Sequence, residues 1–324
     1  MNHQPIVHTA IPPLSAFQPD ETPAHTDADP LADLIHPFPQ QQPSTAQAPR
    51  PLSFETDLMR FYGFRENPFA DCIHPAFFYR TESHAEAFRN MMLAADFAAS
   101  LGMVTAPSGT GKTLLTQLLL QHLAPPQYLA ILVLVTPGVS KTGLLREILS
   151  ELNVALPVGN LRVQDLVKLL SNHIIDLYER GQRLVILIDE CHLLSGDCLH
   201  IVRTISNIEV PTRKLVTCLL FGESRLDQRL THPSYESLRN RIYLRSTLAP
   251  LSPEDVAQFI KFRLIVAGRM SELFTPAALA ALHQFSGGIP RTLNKLALLC
   301  LVEGAAKQRE LIDADLVVAH ATRL

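Results

Sequence analysis

The residues best equipped for chemistry are Ala106, Pro107, Ser108, Gly109, Thr110, Gly111, Lys112 and Thr113, a small, glycine-bearing run that ends on an amine and a hydroxyl. In such a phosphate-binding (Walker A) loop, glycines let backbone N–H groups crowd around an anion, the lysine reaches the β and γ phosphates, and the hydroxyl sits on Mg2+. The strictest form of the pattern has glycine where this chain has Ala106. Downstream, the apolar run Leu184 to Ile188 closes on Asp189 and Glu190, a Walker B pair. Asp189 can hold the Mg2+ through its water, and Glu190 can orient and deprotonate a water that attacks the γ phosphate.

These groups need strands that end at the site and a helix that starts there. The run Leu101 to Thr105 reads as the strand before the loop, and Leu114 to Leu123 as the helix after it, its positive N-terminus aimed at the phosphates. Tyr128 to Thr136 is apolar almost throughout, as a strand buried on both faces must be. Helices are predicted over 141–152 and 162–180; the second carries Val163, Leu166, Val167, Leu170, Ile174, Leu177 and Tyr178 on one face. A strand over 183–188, a helix over 197–209 and a strand over 214–221 follow, closed by Gly222. Upstream, Ser83 and Glu86 have the spacing of a capping box, which predicts a helix from there to about Ser100. Strands that alternate with helices predict an α/β fold with a doubly wound parallel sheet, whose ligands bind at the carboxyl ends of the strands. From Ser252 four helical stretches follow without a strand, and Ser252-Pro253 and Thr275-Pro276 are hydroxyl caps before a helix-starting proline. The expected organisation is a tail over 1–52, a nucleotide-binding α/β domain over 53–249 and a small all-α lid over 250–324.

The tail holds eleven prolines and no sustained periodicity, so disorder is expected there. Its segment Leu31 to Phe38 is apolar enough to dock a protein partner. The chain's net charge is −3, but residues 1–52 carry five acids and one base, which leaves 27 bases against 26 acids in the remainder. A near-neutral body lacks the basic footprint usual for nucleic-acid binding, so DNA is not the favoured partner. Five scattered cysteines predict reduced thiols. With no apolar run long enough to span a bilayer and no charged-then-apolar leader, a cytoplasmic protein without membrane insertion is expected. Cys191, His192, Cys198 and His200 lack paired metal-ligand spacing, so zinc is set aside. The run Asp189-Glu190-Cys191-His192 suggests a helicase, but the helical residues after Thr247 are too few for the second domain a helicase needs.

Beyond these motifs, the chain resembles the AAA+ ATPases, in particular the general secretion pathway protein A (ExeA/GspA) family. The resemblance rests on Phe61-Tyr62-Gly63-Phe64-Arg65-Glu66-Asn67-Pro68-Phe69, on His74 to Tyr79, on Ser83 to Ala87, and on Ser237 to Ile242 with Leu248 to Ser252. It is completed by Arg263 to Gly268 and Ser286 to Asn294, and spans roughly residues 54–310. It implies an ATPase that hydrolyses ATP with Mg2+ between subunits of a homo-oligomer, such as a hexamer, to remodel or recruit a protein partner. It also implies that Arg291 is a sensor-2 arginine on the γ phosphate, and that Arg239 or Arg241 is a finger reaching a neighbour's nucleotide. Glu223 stands where the family commonly has glutamine as its sensor-1 group, and Ser224 could substitute for it. Two alternatives are a DNA-associated ATP switch similar to the transposition helpers TnsC and TniB, through Ile188 to Leu194, and a nucleotide-binding scaffold without turnover.

Overall fold

The computed structural model describes residues 54–71 and 74–322, so the expected tail and its Leu31 to Phe38 segment lie outside the described residues. In chain order the elements are α1 (Phe54–Tyr62), α2 (Glu82–Asp96), β1 (Leu101–Thr105), α3 (Lys112–His122), β2 (Tyr128–Leu134), α4 (Lys141–Glu151), α5 (Val163–Glu179) and β3 (Arg183–Asp189). Then come α6 (Gly196–Ile205), β4 (Glu209–Val210), β5 (Arg213–Lys214), β6 (Val216–Gly222), α7 (Arg225–Leu230), α8 (Glu236–Arg239) and β7 (Ile242–Thr247). The last four are α9 (Pro253–Val266), α10 (Pro276–Ser286), α11 (Pro290–Ala306) and α12 (Ala314–Ala321).

The main sheet has the order β2-β3-β6-β1-β7, and every pair in it is parallel. Inserting β6 between β3 and β1 makes this the switch point at which ligands bind in open α/β sheets. It also sets the carboxyl ends of the two motif-bearing strands on either side of Gly222. β1 and β6 are buried along their whole length and β3 from Leu184 onward, which is why their sequences read as apolar runs.

Three local expectations are corrected. The cap of α2 is Thr81, in extended conformation, and its hydroxyl accepts from the His84 N–H; Ser83 instead lies inside the first turn. The helix expected to reach residue 209 ends at Ile205, and the antiparallel hairpin of β4 and β5 takes up the chain before β6 begins at Val216. β7 was not expected at all. As an edge strand it exposes Tyr243 and Arg245 while burying Ile242 and Ser246, so it carries no continuous apolar signal.

Two apolar clusters result. The first joins β1, β2, β3 and β6 to α4, α5 and α6. The second joins α9 to α12 with Leu58, Tyr62, Phe64, Phe69 and Phe77, so the aromatic N-terminal segment packs with the late helices although it precedes the sheet in sequence. Tyr62 fastens it by donating to the carbonyls of Leu301 and Arg309, 3.2 Å each.

Candidate functional site

Between β1 and α3 the backbone curls through Gly109 (φ 81°) and Gly111 (φ 106°), both in the left-handed region that glycine reaches at little cost. Gly111 is the N-cap of α3, so the helix begins with Lys112 at the floor of the loop. Lys112 is buried, and its ammonium donates to the carbonyls of Ala106 (3.2 Å) and Pro107 (3.0 Å). Burial pushes its pKa down, opposed by the negative charges of Glu190, Glu223 and Asp189. Thr110 Oγ1 also donates to the Pro107 carbonyl, 2.8 Å away.

β3 delivers the acids to the same floor. Asp189 is buried; its Oδ2 accepts from Thr113 Oγ1 at 3.1 Å and its Oδ1 from the Glu190 N–H at 2.8 Å. A hydroxyl and a carboxylate side by side are the hard oxygen donors that Mg2+ prefers. Glu190 adopts φ 55°, uncommon for a residue with a side chain, and its carboxylate borders the cavity above the loop. Beside it, the nearly buried ring of His192 places Nδ1 3.2 Å from Glu190 Oε2 and accepts there from the Glu223 N–H at 3.2 Å. The Glu223 carboxylate lies 3.8 Å from His192 Nε2 and 3.1 Å from Arg225 Nε. An acid at the tip of β6 is therefore held by a cation and an imidazole, and the contact of His192 with Glu190 is one the sequence analysis did not foresee. Burial lowers the His192 pKa against the opposite pull of Glu223.

The cavity, about 360 Å3, runs from this floor to the late helices and the N-terminal segment. That size suits a small-molecule pocket. Ser108 to Leu114 and Glu190 form one end, and Ala70, Asp71, Phe77, Phe78, Tyr79 and Phe259 the other. Arg291, one residue into α11, borders it; its N–H donates to the Gly109 carbonyl at 3.2 Å, and its like charge adds to burial in lowering the Lys112 pKa. Arg263 is buried with its guanidinium over the rings of Phe77 (5.0 Å) and Phe259 (5.3 Å) and donates to the Pro68 carbonyl. Asn294 borders the cavity with Oδ1 buried and without a hydrogen-bond partner. An orphaned acceptor, a glycine cradle, a buried lysine and a hydroxyl–carboxylate pair fit a nucleotide with its metal ion.

Arg239 and Arg241 stand apart from this cavity. Arg239 donates to the carbonyls of Leu230 (3.4 Å) and Thr231 (3.2 Å), and Arg241 to Asn207 Oδ1. Among the described residues the thiols of Cys191, Cys198, Cys218 and Cys300 are free and buried, and Cys198 donates to the Val139 carbonyl.

The parallel sheet, the loop and the acid pair define an AAA+ P-loop nucleotide-binding protein, and the comparisons agree. The AAA domain family matches residues 95–230. Over 263 residues the chain is 34% identical to general secretion pathway protein A of Aeromonas hydrophila, an alignment that covers 80% of this chain and 47% of that protein. The chain is thus similar to the general secretion pathway protein A-like AAA+ ATPases, and it spans about half the length of that relative. The fold is shared with the Aeropyrum pernix ORC2 protein, solved as ADPNP-ADP complexes, at a TM-score of 0.59 and 16% identity over 80% of this chain and 72% of that one. The A. pernix ORC1 protein in complex with DNA matches at a TM-score of 0.60 and 16% identity, covering 80% and 69%. Among the described residues no helix is long and apolar enough to cross a membrane.

Proposed function

We propose that this chain binds ATP with Mg2+ and hydrolyses it at a site completed by a neighbouring copy, and that the cycle recruits or remodels a protein partner in the cytoplasm. The observation that carries the reading is the Thr113 hydroxyl resting 3.1 Å from the Asp189 carboxylate, on the floor of a cavity bordered by Lys112, Glu190 and Arg291. Bound Mg2+ would supply neutralisation of the charge that develops between the β and γ phosphates. Thr113 and Asp189 are the groups to hold it. Lys112 exchanges its two carbonyl partners for phosphate oxygens. Glu190 orients a water and takes its proton, while Arg291 reaches the γ phosphate from the lid. Arg239 or Arg241 acts on the neighbour's nucleotide, in keeping with their place outside their own chain's cavity.

Phosphate release and binding of a fluorescent ATP analogue test this. Wild type is expected to turn over, Lys112→Ala to lose binding, and Glu190→Gln to bind, stop turning over and accumulate oligomer. A Glu190→Gln protein that hydrolyses ATP at the wild-type rate would falsify the assignment of the base. A wild type that binds without releasing phosphate would favour a scaffold. ATP-dependent, salt-sensitive capture of duplex DNA would favour the switch reading.

A further inference from the structure

A phosphate loop turns N–H groups toward its anion, so its buried carbonyls must find donors elsewhere. Most of these donors are local. Lys112 and Thr110 serve the carbonyls of Ala106 and Pro107, and the Leu115 N–H serves that of Gly111. Two come from distant parts of the chain. The Arg291 N–H holds the Gly109 carbonyl, and the ring of His84, on α2, holds the Thr110 carbonyl with Nε2 at 2.9 Å.

For a neutral ring the surroundings of His84 leave one arrangement. A carbonyl can only accept, so Nε2 carries the proton. Nδ1 then accepts from Thr81 Oγ1, 2.6 Å away, and that hydroxyl in turn accepts from the His84 N–H and has Ser83 Oγ within 2.9 Å. Burial lowers the imidazole pKa, which favours the neutral ring this arrangement needs. On its other side the ring meets Phe78 edge-on, with centroids 5.3 Å apart, and Phe78 borders the far end of the cavity. Gly111 leaves room for the contact: a Cβ there would stand 3.2 Å from His84 Nε2.

We propose that His84 is a positioning residue for the phosphate loop: its Nε2–H holds the Thr110 carbonyl, and its contact with Phe78 ties the far wall of the cavity to the loop. Lys112 can leave its carbonyls for a ligand, whereas His84 stays in place and keeps the loop's shape. The proposal rests on the nucleotide-binding reading, and its test separates the two.

Binding of a fluorescent ATP analogue, KM and kcat from phosphate release, and nucleotide-free melting are measured for wild type, His84→Asn and His84→Gln. Asparagine falls short of Thr110, whereas the glutamine amide reaches the place of Nε2. His84→Asn is expected to raise Kd and KM about tenfold with kcat within about twofold, and His84→Gln to return to within about threefold of wild type. A His84→Asn protein that binds like wild type, or a His84→Gln protein as weak as His84→Asn while both melt like wild type, overturns the proposal. Nitrogen–proton correlation spectra of the wild-type imidazole give a second measure that does not depend on variants folding. A neutral ring with its proton on Nε2 is expected at neutral pH, and a ring with its only proton on Nδ1 refutes the hydrogen bond. A wild type that binds no nucleotide refutes the nucleotide reading instead, and the tautomer still decides the hydrogen bond.

Discussion

Gly109→Ala is the substitution that most directly probes how the loop and the late helices meet. Gly109 sits at φ 81°, and a Cβ built there would stand 2.8 Å from Arg291 Cβ and 3.1 Å from Ile289 Cγ2. Neither neighbour is the loose end of a side chain, so relief requires the start of α11 to move. The left-handed conformation costs an alanine about 1–2 kcal/mol. Crowding a packed contact adds ~1–3 kcal/mol. The combined cost of about 2–5 kcal/mol falls on the arrangement in which the Arg291 N–H reaches the Gly109 carbonyl. If that arrangement is the binding-competent one, nucleotide affinity falls about 30-fold or more. Gly63→Ala is the control: it has φ 72° and nothing within 4 Å of the added Cβ, so it carries the backbone cost without the clash. Titration of a fluorescent ATP analogue into both variants, alongside thermal melting, separates the effects. Gly63→Ala is expected to melt lower and bind normally, and Gly109→Ala to bind weakly. A Gly109→Ala protein with affinity within about twofold of wild type would refute the reasoning.

Gly304→Ala should crowd the second apolar cluster, because the new Cβ meets the Tyr62 hydroxyl and stands 2.6 Å from Ile312 Cδ1. Two such close contacts put the crowding in the upper part of its usual range, ~2–3 kcal/mol, and about 1 kcal/mol of helix propensity offsets part of it, so a net loss of ~1–2 kcal/mol is expected in denaturant unfolding; unchanged stability would contradict the contact. Burial is the first cause that pushes the phenols of Tyr62 and Tyr128 up to about 12 from 10, helped at Tyr128 by its hydrogen bond to Asp96. The unfolded chain therefore gives up these protons first. The contribution is complete below pH 10, declines as pH rises toward 12, and amounts to at most ~2–3 kcal/mol for each tyrosine. Unfolding at about pH 9 and about pH 11.5 should show the fall, and Tyr62→Phe or Tyr128→Phe should flatten it; an alkaline slope unchanged in both variants would reject the assignment. Tyr128→Phe should also cost ~1–2 kcal/mol at neutral pH, because it strips a partner from Asp96 and Arg183.

Candidate groups carried by neighbouring residues were open to reading from the sequence alone. The loop from Ala106 to Thr113 needs glycines, an amine and a hydroxyl at consecutive positions, and Asp189-Glu190 need only the end of a buried strand, so local spacing sufficed for both. The central strands announced themselves because burial on both faces demands unbroken apolar residues. The helices after Ser252 were marked by hydroxyl-proline starts, a matter of one turn of backbone. Where competing groups lie within a turn of each other, sequence was less decisive: Ser83 has the spacing of a cap, but Thr81 took the extended conformation and the hydrogen bond. β7 stayed hidden because an edge strand shows water one face.

Only the tertiary structure decided which distant groups share a site. The insertion of β6 between β3 and β1 set Glu223 beside His192 and Glu190. Packing of the N-terminal aromatics against α9 to α12 placed Phe78, Arg263 and Asn294 around the same cavity as Lys112. The seating of α2 brought His84 to a carbonyl 26 residues away. Such pairings arise from how buried surfaces fit and how each buried polar group finds a partner, and neither condition leaves a periodic trace along the chain.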